Sequence, residues 1–214
     1  AVLAFGTPDD ERDFSAAYAG VCRSIRFVDR TRPRILNGIE RYWLLLTGRC
    51  NFRQIYRESM QKAIDEAAAG ERFDVIHCCA QMLGYYRFPE GVPVVSDTHE
   101  VTYDLIKRTY ANTRNPFWKF VRYLEYRVAK PEEIMLLKKF DAVVATTERD
   151  LEKFRLELPD QKMAVIANGV QQVFLEYPPA PPEPRTMVFT GLMTHFPNDH
   201  GLNWFLDEIF PRIV

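Results

Sequence analysis

Apolar residues in this chain gather in short runs separated by charged residues, glycine and proline. Six runs read as strands, over residues 1–5, 24–28, 73–79, 92–96, 141–146 and 163–167. The clearest of them do not alternate. FDVIHCC, VPVVS and DAVVAT are nearly continuous in apolar residues, the pattern of strands covered on both faces in a parallel sheet. Helical spacing lies between them. Residues 51–69 carry apolar side chains at helical intervals and end at Gly70, a residue suited to closing a helix. Residues 147–158 open on Thr147, with Glu148 and Asp150 in the first turn, where a cap and negative charge favour a helix N-terminus. The repeated strand–helix order predicts an α/β fold with a Rossmann-like doubly wound parallel sheet.

Two segments depart from this rhythm. TRNPFWKFVRYLEYRVAK, from residue 113, interleaves aromatics with Arg and Lys, and Pro131 is expected to restart a helix that runs to residue 139. In projection Phe117, Phe120, Val121, Leu124 and Val128 share one face, which predicts a two-helix excursion packed on the sheet with solvated cationic flanks. The competing reading is a basic amphipathic surface over residues 113–130 that rests on anionic lipid as a peripheral membrane contact. The second departure is EYPPAPPEPR, residues 176–185, in which five of ten residues are proline. Such a run favours an extended spacer between folded bodies. Beyond it a strand over 186–190, a turn at Gly191 and a helix from Asn198 are expected. The 29 residues from 186 to 214 are too few to close a core of their own. The domain reading is therefore 1–175 as a first domain, 176–185 as linker and 186–214 as the start of a second.

Composition narrows the class little. The 214 residues are 47% hydrophobic and 27% charged, with a formal net charge of -1, so no global field favours nucleic acid. No apolar run approaches the ~20 residues of a membrane span, and no basic-then-apolar leader opens the chain. Cys22, Cys50, Cys78 and Cys79 form no CxxC pair and read as buried thiols in a reducing cytoplasm, Cys78 and Cys79 facing opposite ways on one strand.

Ligands of open α/β sheets bind beyond the carboxyl ends of the strands. Those ends carry Asp97, His99 and Glu100; Thr146, Thr147 and Glu148; Asn168 and Gly169; and Gly191. His99 can donate or accept hydrogen bonds, and Asp97 or Glu100 can orient it. It reads equally as a cap of the following helix. His77, within a buried run, reads as a satisfied core residue. His195 and His200 match no zinc spacing, and no metal site is expected. Gly191 would let a phosphate approach a helix N-terminus. GxGxxG, GxxxxGK[ST] and GxSxG are all absent.

Taken in order, these segments resemble the GT-B glycosyltransferases, specifically retaining family 4 enzymes of the bacterial sugar-transferase kind. FDVIHCC is similar to the family's strand with an Asp-Val-Ile-His core, and VVSDTHEV to the strand ending in Asp-x-His. KKFDAVVATTERD is similar to the next strand and helix start, with Thr147 where Ser is usual. MAVIANGV is similar to the segment that ends the first domain, with Gln171 replacing Asp. MVFTGLMTHFPNDHGLNWFLDEIFPRI is similar to the opening of the second domain. The likeness spans residues 73–214. It implies an acceptor-side N-terminal domain facing a domain that holds a nucleotide-sugar, with transfer in the cleft, retention of configuration and no bound metal or other cofactor. His99 matches the cleft histidine that contacts the transferring sugar, and Gly191 the glycine near the donor diphosphate. Asp97, Glu100, Thr146, Thr147, Glu148, Asn168 and Gly169 line the substrate side. A saccharide or lipid-linked acceptor, cell-surface polysaccharide synthesis and a cytoplasmic place, peripheral at the inner membrane face, follow as expectations.

Relative to the family, the first strand with its glycine-rich loop and the donor-gripping Glu-x7-Glu pair are expected to lie outside residues 1–214. The chain alone is accordingly expected to have little or no transferase activity. Strand 186–190 is expected to seek an open sheet edge, within the chain or by exchange in a strand-swapped homodimer. The rival readings are a nucleotide-sugar epimerase on the same fold and a non-catalytic α/β interaction domain.

Overall fold

The computed structural model describes residues 1–30, 34–177, 181, 183–194 and 196–213, with the side chains of 34–37 and 196 set apart. Four of the ten residues of the proline-rich linker, and His195, therefore lie outside the described residues. The chain forms two compact units, Ala1–Gly169 and Val170–Val214.

The first unit is α/β and parallel throughout. Its strands are β1 (Val2–Phe5), β2 (Ile25–Val28), β3 (Ile76–Cys78), β4 (Val94–Thr98), β5 (Ala142–Ala145) and β6 (Met163–Val165). Its helices are α1 (Pro8–Ala17), α2 (Arg34–Leu46), α3 (Glu58–Gly70), α4 (Thr102–Asn112), α5 (Pro116–Leu137) and α6 (Glu148–Glu157). β3, β4, β5 and β6 lie side by side in that order, and β1 pairs with β2 in a separate two-stranded sheet. All pairings are parallel, as buried apolar runs require. A doubly wound fold carries its strands in one continuous sheet. Among the described residues no strand joins β1 to β3, so the expected single sheet is divided in two.

Several elements differ from the sequence expectation, each for a visible reason. The helix expected over 51–69 is a short 3-10 turn, Asn51–Ile55, then α3. The buried Tyr86 hydroxyl enters the break, donating to Ile55 O at 2.8 Å and accepting Arg57 N at 3.0 Å. Gly70 is the last helical residue, not a left-handed cap. Pro131 does not restart a helix, because α5 runs unbroken through it. Pro131 and Arg127 are both exposed, so water can serve the carbonyl that the missing N–H leaves over. On α5 Val121 is buried, but Phe117 and Phe120 point to solvent, against the face drawn for them. The capping box of Thr7 and Asp10, with Pro8 in the first turn, starts α1, a helix the apolar pattern did not announce.

The second unit contains α7 (Gln172–Glu176) and α8 (Phe196–Trp204). Residues 186–190 form no strand, so the element expected to take part in strand exchange is not in place.

The main core packs Phe154, Leu136, Leu137, Val143 and Phe140 between the four-stranded sheet and its helices. Inside it sits Glu133 of α5, a completely buried carboxylate. Glu133 accepts Thr102 N at 3.0 Å and Tyr103 N at 2.7 Å, the first two amides of α4, and Gln81 Nε2 at 2.9 Å. Burial pushes this carboxyl above its ordinary value, and the amides of Thr102 and Tyr103 pull it back. It thus supplies from a distant helix the cap that Val101, at the N-cap position of α4, does not. In Glu133→Gln the amide NH2 replaces one acceptor among these donors. We expect a loss of about 2 kcal/mol, read from urea unfolding. An unchanged midpoint would contradict the clamp.

α4 is also tied to α6. Lys153 Nζ lies 2.6 Å from Asp104 Oδ2, and Arg108 Nε lies 3.2 Å from it. The hydrogen bond and charge of Lys153 hold the Asp104 carboxyl below its ordinary value. A depressed carboxyl contributes stability above its unfolded pKa of about 3.9, and that contribution is lost as pH falls through the folded value. The stability difference between wild type and Asp104→Asn is therefore expected to be constant near neutrality and to shrink in acid. A difference that grows on acidification would refute the tie.

Candidate active site

The carboxyl ends of β4 and β5 form one rim. Their register sets Asp97 opposite Val144 and Thr98 opposite Ala145, so both strands stop at the same level. The chain leaves β4 through His99 and Glu100, both exposed, and enters α4. It leaves β5 through Thr146 and Thr147 and enters α6. Thr146 Oγ1 donates to His99 O at 3.3 Å, joining the two turns. Two helices, α4 and α6, therefore start at this rim; Glu133 already takes the first two amides of α4, and the N-terminus of α6 suits negative charge.

The structure places the predicted residues unevenly. Asp97, His99, Glu100, Thr146, Thr147 and Glu148 share the β4–β5 rim. Asn168 and Gly169 follow β6 by a few residues and are exposed, and Ile166 N still bonds to Ala145 O at 3.0 Å. Gly191 belongs to the second unit, where a Cβ on it would meet Asn198 Nδ2 at 2.8 Å. Its lack of a side chain has a packing reason there. Thr147 is committed to its helix, accepting Asp150 N at 3.1 Å and donating to Asp150 Oδ2 at 2.9 Å. His99 does not cap α4, since the N-cap position is Val101 and Glu133 satisfies the first amides.

Two expectations are overturned. Asp97 does not orient His99; its Oδ2 lies 3.6 Å from His77 Nε2. His77 is not a core residue but an exposed one. Strand parity explains both. Cys78 of β3 and Ser96 of β4 are paired, and both are buried on one face. His77, Cys79 and Asp97 must then share the other face. The signal was legible in principle, but HCC offers no way to choose which thiol points inward.

All four cysteines are free. Cys50 and Cys78 are buried as expected, and burial raises both thiols to about 12. Cys22 is only half-buried and Cys79 is exposed, against the expectation of buried thiols; the Cys79 thiol is raised by partial burial and by the Asp97 charge.

Elsewhere, the carboxyl ends of β1 and β2 border a cleft lined by Gly6, Glu11, Arg12, Phe27 and Asp29. A Cβ at Gly6 would strike the Phe27 ring at 2.2 Å, so only glycine fits at this strand end. No helix among the described residues is long and apolar enough to cross a membrane.

A fold of parallel strands and helices whose polar groups collect at strand carboxyl ends defines a Rossmann-like ligand-binding domain. The family model Glycosyltransferase Family 4 matches residues 2–172, and the chain belongs to that family. No curated protein and no solved structure gives a match. The chain is thus a GT-B-type glycosyltransferase domain.

Proposed function

We propose that the chain is the acceptor-side part of a retaining glycosyltransferase. It moves a hexosyl group from a nucleotide-sugar to a saccharide or lipid-linked acceptor in cell-surface polysaccharide synthesis at the cytoplasmic face of a membrane. Residues 1–175 are the acceptor domain, 176–185 the linker and 186–214 the opening of the donor domain, with Gly191 toward the donor diphosphate. The observation that carries the reading is the rim itself: an exposed His99 whose carbonyl is held by Thr146, between two helix N-termini. An imidazole there hydrogen-bonds a sugar hydroxyl, and the amides at the start of α6 offset charge that develops on the leaving diphosphate. No resident metal is needed for that scheme. Asn168 and Gly169 form the hinge after β6.

In the full-length protein, His99→Ala is expected to lower kcat/KM for transfer by roughly a hundredfold with the far-ultraviolet spectrum unchanged. Labelled nucleotide-sugars distinguish the rival chemistry, because an epimerase returns a free nucleotide-sugar while a transferase labels the acceptor. Full activity in the variant would remove His99 from the mechanism.

The lipid-linked acceptor has its own support. Trp43 and Leu46 of α2, and Phe117, Trp118 and Phe120 of α5, are all exposed, and Arg41 of α2 is paired with Glu125 of α5. Arg114 and Lys119 flank the α5 aromatics. Aromatic and basic groups on joined helices suit a surface of anionic lipid. Phe117→Ser with Trp118→Ser is expected to weaken binding to phosphatidylglycerol-containing vesicles at least tenfold. Equal binding by the variant, or none by wild type, would remove the contact.

A further inference from the structure

We propose that His77, Cys79 and Asp97 form a three-ligand site for a borderline-soft divalent cation of the Zn2+ type, at the carboxyl rim of β3 and β4. The inference is independent of the transferase reading.

Backbone geometry brings the three together. The pairing of Cys78 with Ser96 turns those two side chains into the core and leaves His77, Cys79 and Asp97 on the opposite face of adjacent strands. One imidazole nitrogen, one sulfur and one carboxylate oxygen lie within 4.8 Å of one another. His77 Nε2 is 3.6 Å from Asp97 Oδ2, while the Cys79 sulfur lies 4.0 Å from the other ring nitrogen, Nδ1; one cation takes one of the two nitrogens. Tetrahedral zinc with bonds of about 2.0–2.3 Å holds such ligand atoms roughly 3.3–3.6 Å apart. His77 and Cys79 are both exposed, and binding requires their side chains to turn so that one ring nitrogen and the sulfur reach those separations.

A second observation points to an absent partner. Asp97 Oδ1 is buried and has no hydrogen-bond partner among the described residues. A buried carboxylate oxygen left unpaired carries a desolvation cost that a cation would offset. The ligand set is chemically selective. Imidazole, thiolate and carboxylate together favour zinc over magnesium or calcium, which prefer all-oxygen shells. Three protein ligands leave a fourth position for water. On binding, the Cys79 S–H bond breaks, its proton passes to solvent, and the sulfur lone pair forms the metal bond. Affinity must therefore rise with pH.

The test is a titration of the reduced, chelator-treated protein with Co2+, followed by displacement with Zn2+. Stoichiometric uptake is expected, with a thiolate-to-cobalt charge-transfer band that grows as pH rises. Cys79→Ser should abolish that band. His77→Ala and Asp97→Asn should each weaken binding at least about tenfold, and Cys22→Ser should leave it unchanged. Absence of the band at one equivalent of Co2+, its survival in Cys79→Ser, or full affinity in His77→Ala would overturn the site. Circular dichroism of each variant confirms that loss of the band is not loss of fold.

Discussion

A single buried carboxylate determines where the rim residues stand. Glu133 sits in the apolar core, far in sequence from the strands it serves, and receives the leading amides of α4. Without it those amides would face hydrocarbon unpaired, and α4 would have no reason to start at Thr102. Because α4 starts there, the chain between β4 and α4 is confined to three residues, His99 to Val101, and His99 is held over the rim. Desolvating a carboxylate is costly; three N–H donors to its oxygens make the position tolerable.

From this point the site is assembled by short steps. Gln81 bridges Glu133 to the Thr102 hydroxyl and binds the β3–β4 connection to the same clamp. Thr146 reaches across to the His99 carbonyl, and Asp104 with Lys153 holds α4 to α6. The two turns that carry the polar groups are thereby fixed to each other by contacts on both sides. The proposed role in glycosyl transfer draws on such fixity, since groups that stabilise developing charge act best when already in place.

How much of this could be read from the residues depended on range. The parallel sheet was legible because the runs that become β4 and β5 place apolar residues on both faces, as strands with helices above and below must. The cap at Thr147 was legible because its partner is three residues away. Longer-range effects were hidden. The helix over 51–69 is broken by a tyrosine about thirty residues on, and the α4 cap comes from another helix altogether. The exposure of His77 was hidden because its neighbour, not its own character, decides which way it faces. Thr7-Pro8-Asp9-Asp10 stated the start of α1 plainly, but its helix is short of apolar residues and buries none of them fully.

Amide hydrogen exchange on Glu133→Gln puts the buried clamp to its sharpest trial. The amides of Thr102 and Tyr103, and the turn over residues 99–101, are expected to lose protection, while the β4–β5 ladder keeps it. Unaltered protection at Thr102 and Tyr103 would mean that the buried carboxylate does not hold the rim, and the placement of His99 would need another cause.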